Sequence, residues 1–279
     1  VQRERESDAF ERTNLLQAEV YPRRSIYRAC SRKYECEDRE VQRERESDAF
    51  ERTNLRYFLL MKTITIRMED MVDSIIFDLD GTLWDSTEEV AFSFNKVLKE
   101  KYPNVTDEVT ASKLQSLFGK HLYEIAEKLF LSVPKEMSHQ IIDDCCAYET
   151  VYLAENGAKL YDGLEEVLQE LSKKYRLFIV SNCQEGYIQC FFKAYPHLEK
   201  YFIDYEYPGR SGKLKADNIR LVIERHHLQH PVYVGDTAGD ADAAKEAGVP
   251  FIYARYGFGN VAEYDDVIDS LRELKSKLE

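Results

Sequence analysis

The chain has 279 residues, 38 Lys and Arg against 51 Asp and Glu, a net charge of −13, 44% apolar and 32% charged residues. That is the composition of a globular protein with enough chain to bury a sizeable core. No basic excess is present to neutralise a phosphate backbone, so a nucleic-acid partner is not expected. No apolar run approaches the roughly 20 residues of a membrane-spanning helix, so no membrane partner is expected either. The six cysteines show no metal-ligand spacing. They read as reduced thiols, which points to the cytoplasm.

The first sixty residues differ from the rest. The run VQRERESDAFERTNL stands at 1–15 and again, letter for letter, at 41–55. Residues 1–60 carry 12 Arg and one Lys, whereas residues 61–279 carry 7 Arg and 18 Lys. The acidic and basic residues of 1–60 balance at 13 each, so the whole net charge lies in 61–279. Identical duplication and a change of basic-residue usage suggest an extension of different origin, disordered rather than folded. The native start is then expected at Met61, Met68 or Met71. A chain beginning at Met61 should keep its melting temperature and its catalytic rate. A large loss of either would show that residues 1–60 dock on the rest.

From Asp73 the pattern becomes regular. Ser74–Phe77 reads as a buried strand. Helical periodicity follows at Glu88–Lys101, Leu114–Phe118, Leu122–Phe130 and Met137–Leu153, with Pro134 and Gly157 bounding the last helix. After Gly157, helices alternate with strands. Helix Leu164–Lys174 leads to strand Leu177–Val180, and helix Gly186–Ala194 to strand Tyr201–Tyr205. Helix Asn218–His226 leads to strand Val232–Val234, helix Asp240–Ala247 to strand Phe251–Tyr253, and a last helix covers Asp265–Leu278. Alternation of this kind predicts crossover connections and a parallel sheet covered on both faces. The helical block after the first strand reads as an insertion. The expected fold is therefore α/β, a Rossmann-like parallel-sheet core with an inserted all-helical cap. The core comprises residues 61–86 and 158–279, and the cap 87–157.

Several strands end in polar residues, and ligands of open parallel sheets bind at the carboxyl ends of strands. The first strand exits into Asp78-Leu-Asp80-Gly-Thr82. Two carboxylates at a strand exit suit a hard cation and a nucleophile, and Asp-Gly alone would be an ordinary turn. The second strand exits into Ser181-Asn182, which can hold phosphate oxygens or simply form a turn. Lys213 or Lys215 could neutralise charge there, or remain a solvated lysine. A later strand exits into Asp236-Thr-Ala-Gly-Asp240, two acids suited to magnesium, with Asp240 equally suited to capping a helix. Trp84 and Asp85 stand between motif and cap, with packing an equal reading for Trp84. The aromatic segment Tyr253–Phe258 either contacts the cap or covers the sheet edge. Cys183 has no histidine placed beside it by sequence, so a thiol nucleophile is not expected.

Taken together, in this order and mostly at strand ends, these motifs resemble the haloacid dehalogenase superfamily over about residues 73–259. The run Val232–Gly259 looks like its phosphoglycolate-phosphatase-like subgroup. The resemblance implies a magnesium-dependent phosphatase that acts on a small phosphomonoester through an aspartyl-phosphate. Asp78 would be the nucleophile and Asp80 the general acid/base. Magnesium would be held by Asp78, the backbone carbonyl of Asp80, and Asp236, with Asp240 supporting. Ser181, with Asn182 after it, would hold the transferring phosphoryl group. Lys215, directly before the helical run Ala216–Glu224, is favoured over Lys213 as the active-site lysine. A helical cap at this point of the chain would exclude water and read the leaving group. The partner implied is a small phosphorylated metabolite. A phosphomutase that uses the same aspartates remains open, as does a non-catalytic phosphate-binding module. The substrate and the oligomeric state are not legible from the sequence.

Overall fold

The computed structural model describes residues 72–278. The expectation for residues 1–60 lies outside the described residues, as do the three candidate start methionines.

The core is a six-stranded sheet of order β5-β4-β1-β6-β7-β8, parallel throughout. Its strands are β1 Ser74–Phe77, β4 Arg176–Val180, β5 Phe202–Glu206, β6 Pro231–Gly235, β7 Phe251–Ala254 and β8 Asp266–Ile268. The central strand β1 is buried along its whole length, which is why it reads as an unbroken apolar run rather than an alternating one. Its side chains still alternate between faces. Ile75 and Phe77 join one apolar cluster, and Ile76 joins the other with Phe178, Val180 and Tyr233.

Between β2 (Trp84–Asp85) and β3 (Lys159–Leu160) the chain builds four helices. These are α1 Thr87–Lys101, α2 Ala111–Gln115, α3 Leu122–Leu129 and α4 Lys135–Asn156. They form the helical cap. β2 and β3 pair antiparallel, so the chain leaves and re-enters the core through one two-stranded stem. Pro134 and Gly157 bound the 22-residue helix α4, and Gly157 takes φ 70°, a left-handed conformation that costs glycine little. Asp85 Oδ1 accepts from Thr87 N and Oγ1 at the start of α1. After the cap come α5 Leu164–Leu171, α6 Tyr187–Ala194, α7 Lys215–His226 and α8 Ala238–Ala247. No helix among the described residues is long and apolar enough to cross a membrane.

Two expectations need correction. Asp265–Leu278 is not one helix: Asp266–Ile268 is the edge strand β8, and a 3₁₀ turn (Leu271–Glu273) precedes the short helix α9, Leu274–Leu278. The Asp-Val-Ile run is short enough to fit either period, and pairing with β7 decides it. The pattern at Leu114–Phe118 belongs to a helix that begins and ends earlier, at Ala111 and Gln115. Thr110 caps it by accepting from Lys113 N, a signal upstream of the apolar residues.

Candidate active site

The neighbouring strands β4, β1 and β6 deliver Ser181, Asp78 and Asp236 side by side at their carboxyl ends. The backbone of Asp78 still belongs to the sheet, since its N–H donates to Val234 O at 2.8 Å. Asp240 arrives from the first turn of α8. There Thr237 and Asp240 form a capping box: Thr237 N (2.9 Å) and Thr237 Oγ1 (2.6 Å) both donate to Asp240 Oδ2. Asp78, Asp236 and Asp240 are buried, and one carboxylate oxygen from each lies within 4.8 Å of the others.

Lys215 is the first residue of α7 and is 4% exposed, whereas Lys213 is exposed. Its ammonium donates to Asp78 Oδ1 at 2.9 Å and Asp240 Oδ1 at 2.5 Å. Burial alone would lower the Lys215 pKa; the Asp240 and Asp78 carboxylates outweigh it and hold the ammonium well above its ordinary value. Burial pushes Asp78 up to about 7, against the pull of Lys215. Burial, then the charges of Asp240 and Asp78, raises Asp236 well above the carboxylate range.

Three buried carboxylates beside one ammonium leave an excess of negative charge that a divalent cation would neutralise. Hard carboxylate oxygens are the donors magnesium prefers. The donor set fits, and Asp78, Asp236 and Asp240 form a magnesium site. The three acids are not equivalent. Both oxygens of Asp240 are engaged, Oδ1 by Lys215 and Oδ2 by Thr237. Asp236 accepts one short bond, from Phe258 N at 2.8 Å, and a long one from Thr82 Oγ1 at 3.4 Å. Asp236→Asn should therefore weaken magnesium binding more than Asp240→Asn, whose loss should stay within about 10–100-fold. Calorimetric titration of both variants with magnesium checks this, and equal losses would contradict it.

Asp80 lies in a different environment. Trp84 Nε1 (2.9 Å), Ser86 Oγ (2.7 Å) and Tyr187 OH (2.8 Å) all donate to its Oδ1. Oδ2 is left as the oxygen available to the cleft that Asp78 and Asp80 line together. Burial pushes Asp80 up to about 6, although these neutral donors pull it down. Its carboxylate is outside the cluster of Asp78, Asp236 and Asp240.

Ser181 and Asn182 line the same cleft. Asn182 Nδ2 donates to Gly119 O at 3.0 Å, so part of this amide's donor capacity ties the core to the cap loop. The aromatic segment reaches both the cap and the loop after β1. Phe258 meets Phe118 of the cap with ring centroids 5.9 Å apart, and Tyr256 OH donates to Thr82 O. Gly257 has a backbone reason to be glycine, since a Cβ there would fall 2.3 Å from Asp236 Cβ. Cys183 is buried, and burial holds its thiol well above the ordinary range, which removes the thiolate a nucleophile needs.

Sequence reasoning missed Ser86 and Tyr187 and left Trp84 open between lining the gap under the cap and packing. Trp84 and Ser86 stand four and six residues after Asp80, so spacing alone could have flagged them. Tyr187 lies 107 residues away from Asp80 and only the fold brings it in.

The haloacid dehalogenase-like hydrolase family model matches residues 75–254. The phosphoglycolate phosphatase of Vibrio vulnificus (strain CMCP6) is 27% identical over 218 residues, covering 72% of this chain and 93% of its own. The phosphoglycolate phosphatase of Aquifex aeolicus is 29% identical over 197 residues, covering 66% and 85%. Among solved structures, a predicted phosphatase from Clostridium acetobutylicum superposes with a TM-score of 0.63 at 25% identity, covering 75% of this chain and 98% of its own. Fold, magnesium site and family match agree: the chain belongs to the haloacid dehalogenase-like hydrolases.

Proposed function

We propose that this chain hydrolyses a small phosphomonoester in two steps, with Asp78 as nucleophile and Asp80 as general acid/base. The core would be residues 61–86 and 158–279 and the cap residues 87–157. An Asp78 carboxylate oxygen attacks phosphorus, and the bond from phosphorus to the leaving oxygen breaks. Asp80 gives its proton to that oxygen, and the alcohol departs. Asp80 then takes a proton from a water molecule whose oxygen attacks the phosphorus of the aspartyl-phosphate, which frees inorganic phosphate and restores Asp78. Lys215 orients Asp78 and balances charge as the phosphoryl group moves, while Ser181 and Asn182 line its position. Magnesium, held by Asp78, Asp236 and Asp240, would supply charge neutralisation at the phosphoryl oxygens.

The observation that carries this reading is the contrast between the surroundings of Asp80 and Asp78. Asp80 Oδ1, Ser86 Oγ and Tyr187 OH form a triangle with sides of 2.7, 2.8 and 2.8 Å. Ser86 and Tyr187, like Trp84, donate to Oδ1, which fixes the carboxyl and leaves Oδ2 to exchange a proton with the substrate. Asp78, by contrast, faces the Lys215 ammonium. Two carboxyls two residues apart are thus set for opposite tasks by their surroundings. A purely phosphate-binding module has no use for a general acid/base carboxyl held in this way.

The names of the relatives suggest phosphoglycolate as a substrate. The test of the function itself needs no substrate choice. Purified protein should release inorganic phosphate from an aryl phosphate with magnesium and lose that activity with a chelator. Release to water separates a phosphatase from a phosphomutase, which would return the phosphoryl group to a sugar. Absence of phosphate release under both conditions would sink the reading.

A further inference from the structure

The end of the cleft that faces the cap would receive the leaving group. Its walls include Phe94, Leu114, Phe118, Leu122, Ile125 and Ile142. Among them stands one buried acid of the cap, Glu149 on α4, which is 3% exposed. Gln184, from the core segment after β4, donates to Glu149 Oε2 at 2.6 Å. Asn182 adds a second acceptor: its Nδ2 is turned to Gly119 O, and its Oδ1 is buried with no hydrogen-bond partner among the described residues.

Among the described residues, no Lys, Arg or His lines this cleft. Lys215 is committed to Asp78 and Asp240. Lys120, beside Gly119, is half-exposed and pairs with Glu124 Oε1 at 3.5 Å. Phosphoglycolate carries a carboxylate on the fragment that leaves. Seated here, that carboxylate would lose its water among apolar side chains, face the acids Asp80 and Glu149, and find no cation. A leaving group that bears hydroxyl or ammonium hydrogens would instead meet acceptors. Burial, then the charge of Asp80, pushes Glu149 up to about 8, and an ammonium beside it would favour the ionised form.

We propose, building on the phosphatase reading above, that the substrate is a small phosphomonoester whose leaving group donates hydrogen bonds and carries no carboxylate. Glu149, oriented by Gln184, is the residue that selects it. The cleft thereby differs in substrate class from the phosphoglycolate named for the relatives. Glu149 reads the leaving group and takes no part in the bond changes at phosphorus.

Three esters of nearly equal size test the idea: phosphoglycolate, 2-hydroxyethyl phosphate and phosphoethanolamine, which end in a carboxylate, a hydroxyl and an ammonium. For the unaltered protein with magnesium, kcat/KM for the latter two should exceed that for phosphoglycolate by about tenfold or more, as expected when a buried group goes unpaired. In Glu149→Gln the ratio of phosphoethanolamine to phosphoglycolate should fall by about tenfold or more. A purely structural tie between Glu149 and Gln184 would leave that ratio unmoved. Phosphoglycolate turned over as well as the other two, or an unchanged ratio in the variant, would overturn the proposal. So would hydrolysis of an aryl phosphate with none of the three esters accepted. Those outcomes leave the phosphatase reading standing. Failure to hydrolyse even the aryl phosphate would remove that reading and this proposal with it.

Discussion

Asp78→Asn should leave no measurable turnover of any phosphomonoester, whereas Asp80→Asn should fail in a way that depends on the leaving group. The first variant lacks the oxygen that attacks phosphorus, and no neighbour can replace it. Lys215 and Asp240 hold the position of Asp78 from one side, but neither presents a nucleophile to the cleft: one is an ammonium, and both oxygens of the other are engaged. The second variant keeps the nucleophile, Lys215 and the magnesium carboxylates. It loses the proton given to the leaving oxygen and the base that activates water, a contribution of about 10²–10⁴-fold. Alkyl phosphates need that proton and should suffer in the first step. Aryl phosphates with good leaving groups need no protonation, so their first step should remain fast while the second slows. Steady-state rates across a series of aryl phosphates check this. A rate that depends on leaving-group pKa as weakly in Asp80→Asn as in the unaltered protein would argue against Asp80 as the acid.

Lys215→Met should be the most damaging substitution outside the acids, and its effect should be visible without any substrate. Lys215 is 4% exposed and touches two carboxylates that are themselves buried. Removing one partner of a buried ion pair leaves charge with no compensation, at a cost of about 3–5 kcal/mol. For a folded unit of this size that corresponds to a drop of roughly 10 °C in Tm. The acids left behind carry more uncompensated charge, so added magnesium should stabilise the variant more than the unaltered protein. Turnover should fall by about 10²–10³-fold, as for other preorganised charge-stabilising groups. Thermal melts with magnesium and with chelator decide the matter. A variant that melts like the unaltered protein in both would mean that Lys215 does not hold this cluster together. Lys213→Met serves as the comparison, since that side chain is exposed and should change Tm little.

Much of the site was legible because its residues lie at strand exits in short motifs. Asp78 and Asp80 flank one apolar residue, and Asp236 follows a glycine that closes a buried strand, so local pattern and parallel topology place both motifs at one edge of the sheet. Lys215 over Lys213 was legible from position: it stands directly before the helical run Ala216–Glu224, and it is the first residue of α7, buried against Asp78 and Asp240. The support of Asp80 was harder to read. Ser86 stands just before α1, an ordinary place for a capping serine, yet its hydroxyl turns to Asp80, and Tyr187 reaches the same oxygen from a different helix. Glu149 was hidden for another reason. It sits within an otherwise ordinary 22-residue helix, and nothing in its neighbours marks it as facing the cleft. The stem of the cap escaped notice because β2 and β3 are two residues each, too short for any period to show. Edge strand β8 was lost to the same ambiguity of short apolar runs.

In the mechanism above, the phosphoryl group passes through Asp78. Rapid quench of the Asp80→Asn variant with a labelled aryl phosphate, followed by peptide mapping by mass spectrometry, tests it most directly. One phosphoryl group per chain is expected on Asp78, formed faster than steady-state turnover and absent from the Asp78→Asn, Asp80→Asn double variant. Label on any other residue, or hydrolysis in the unaltered protein with no covalent phosphate formed at any time point, would contradict it.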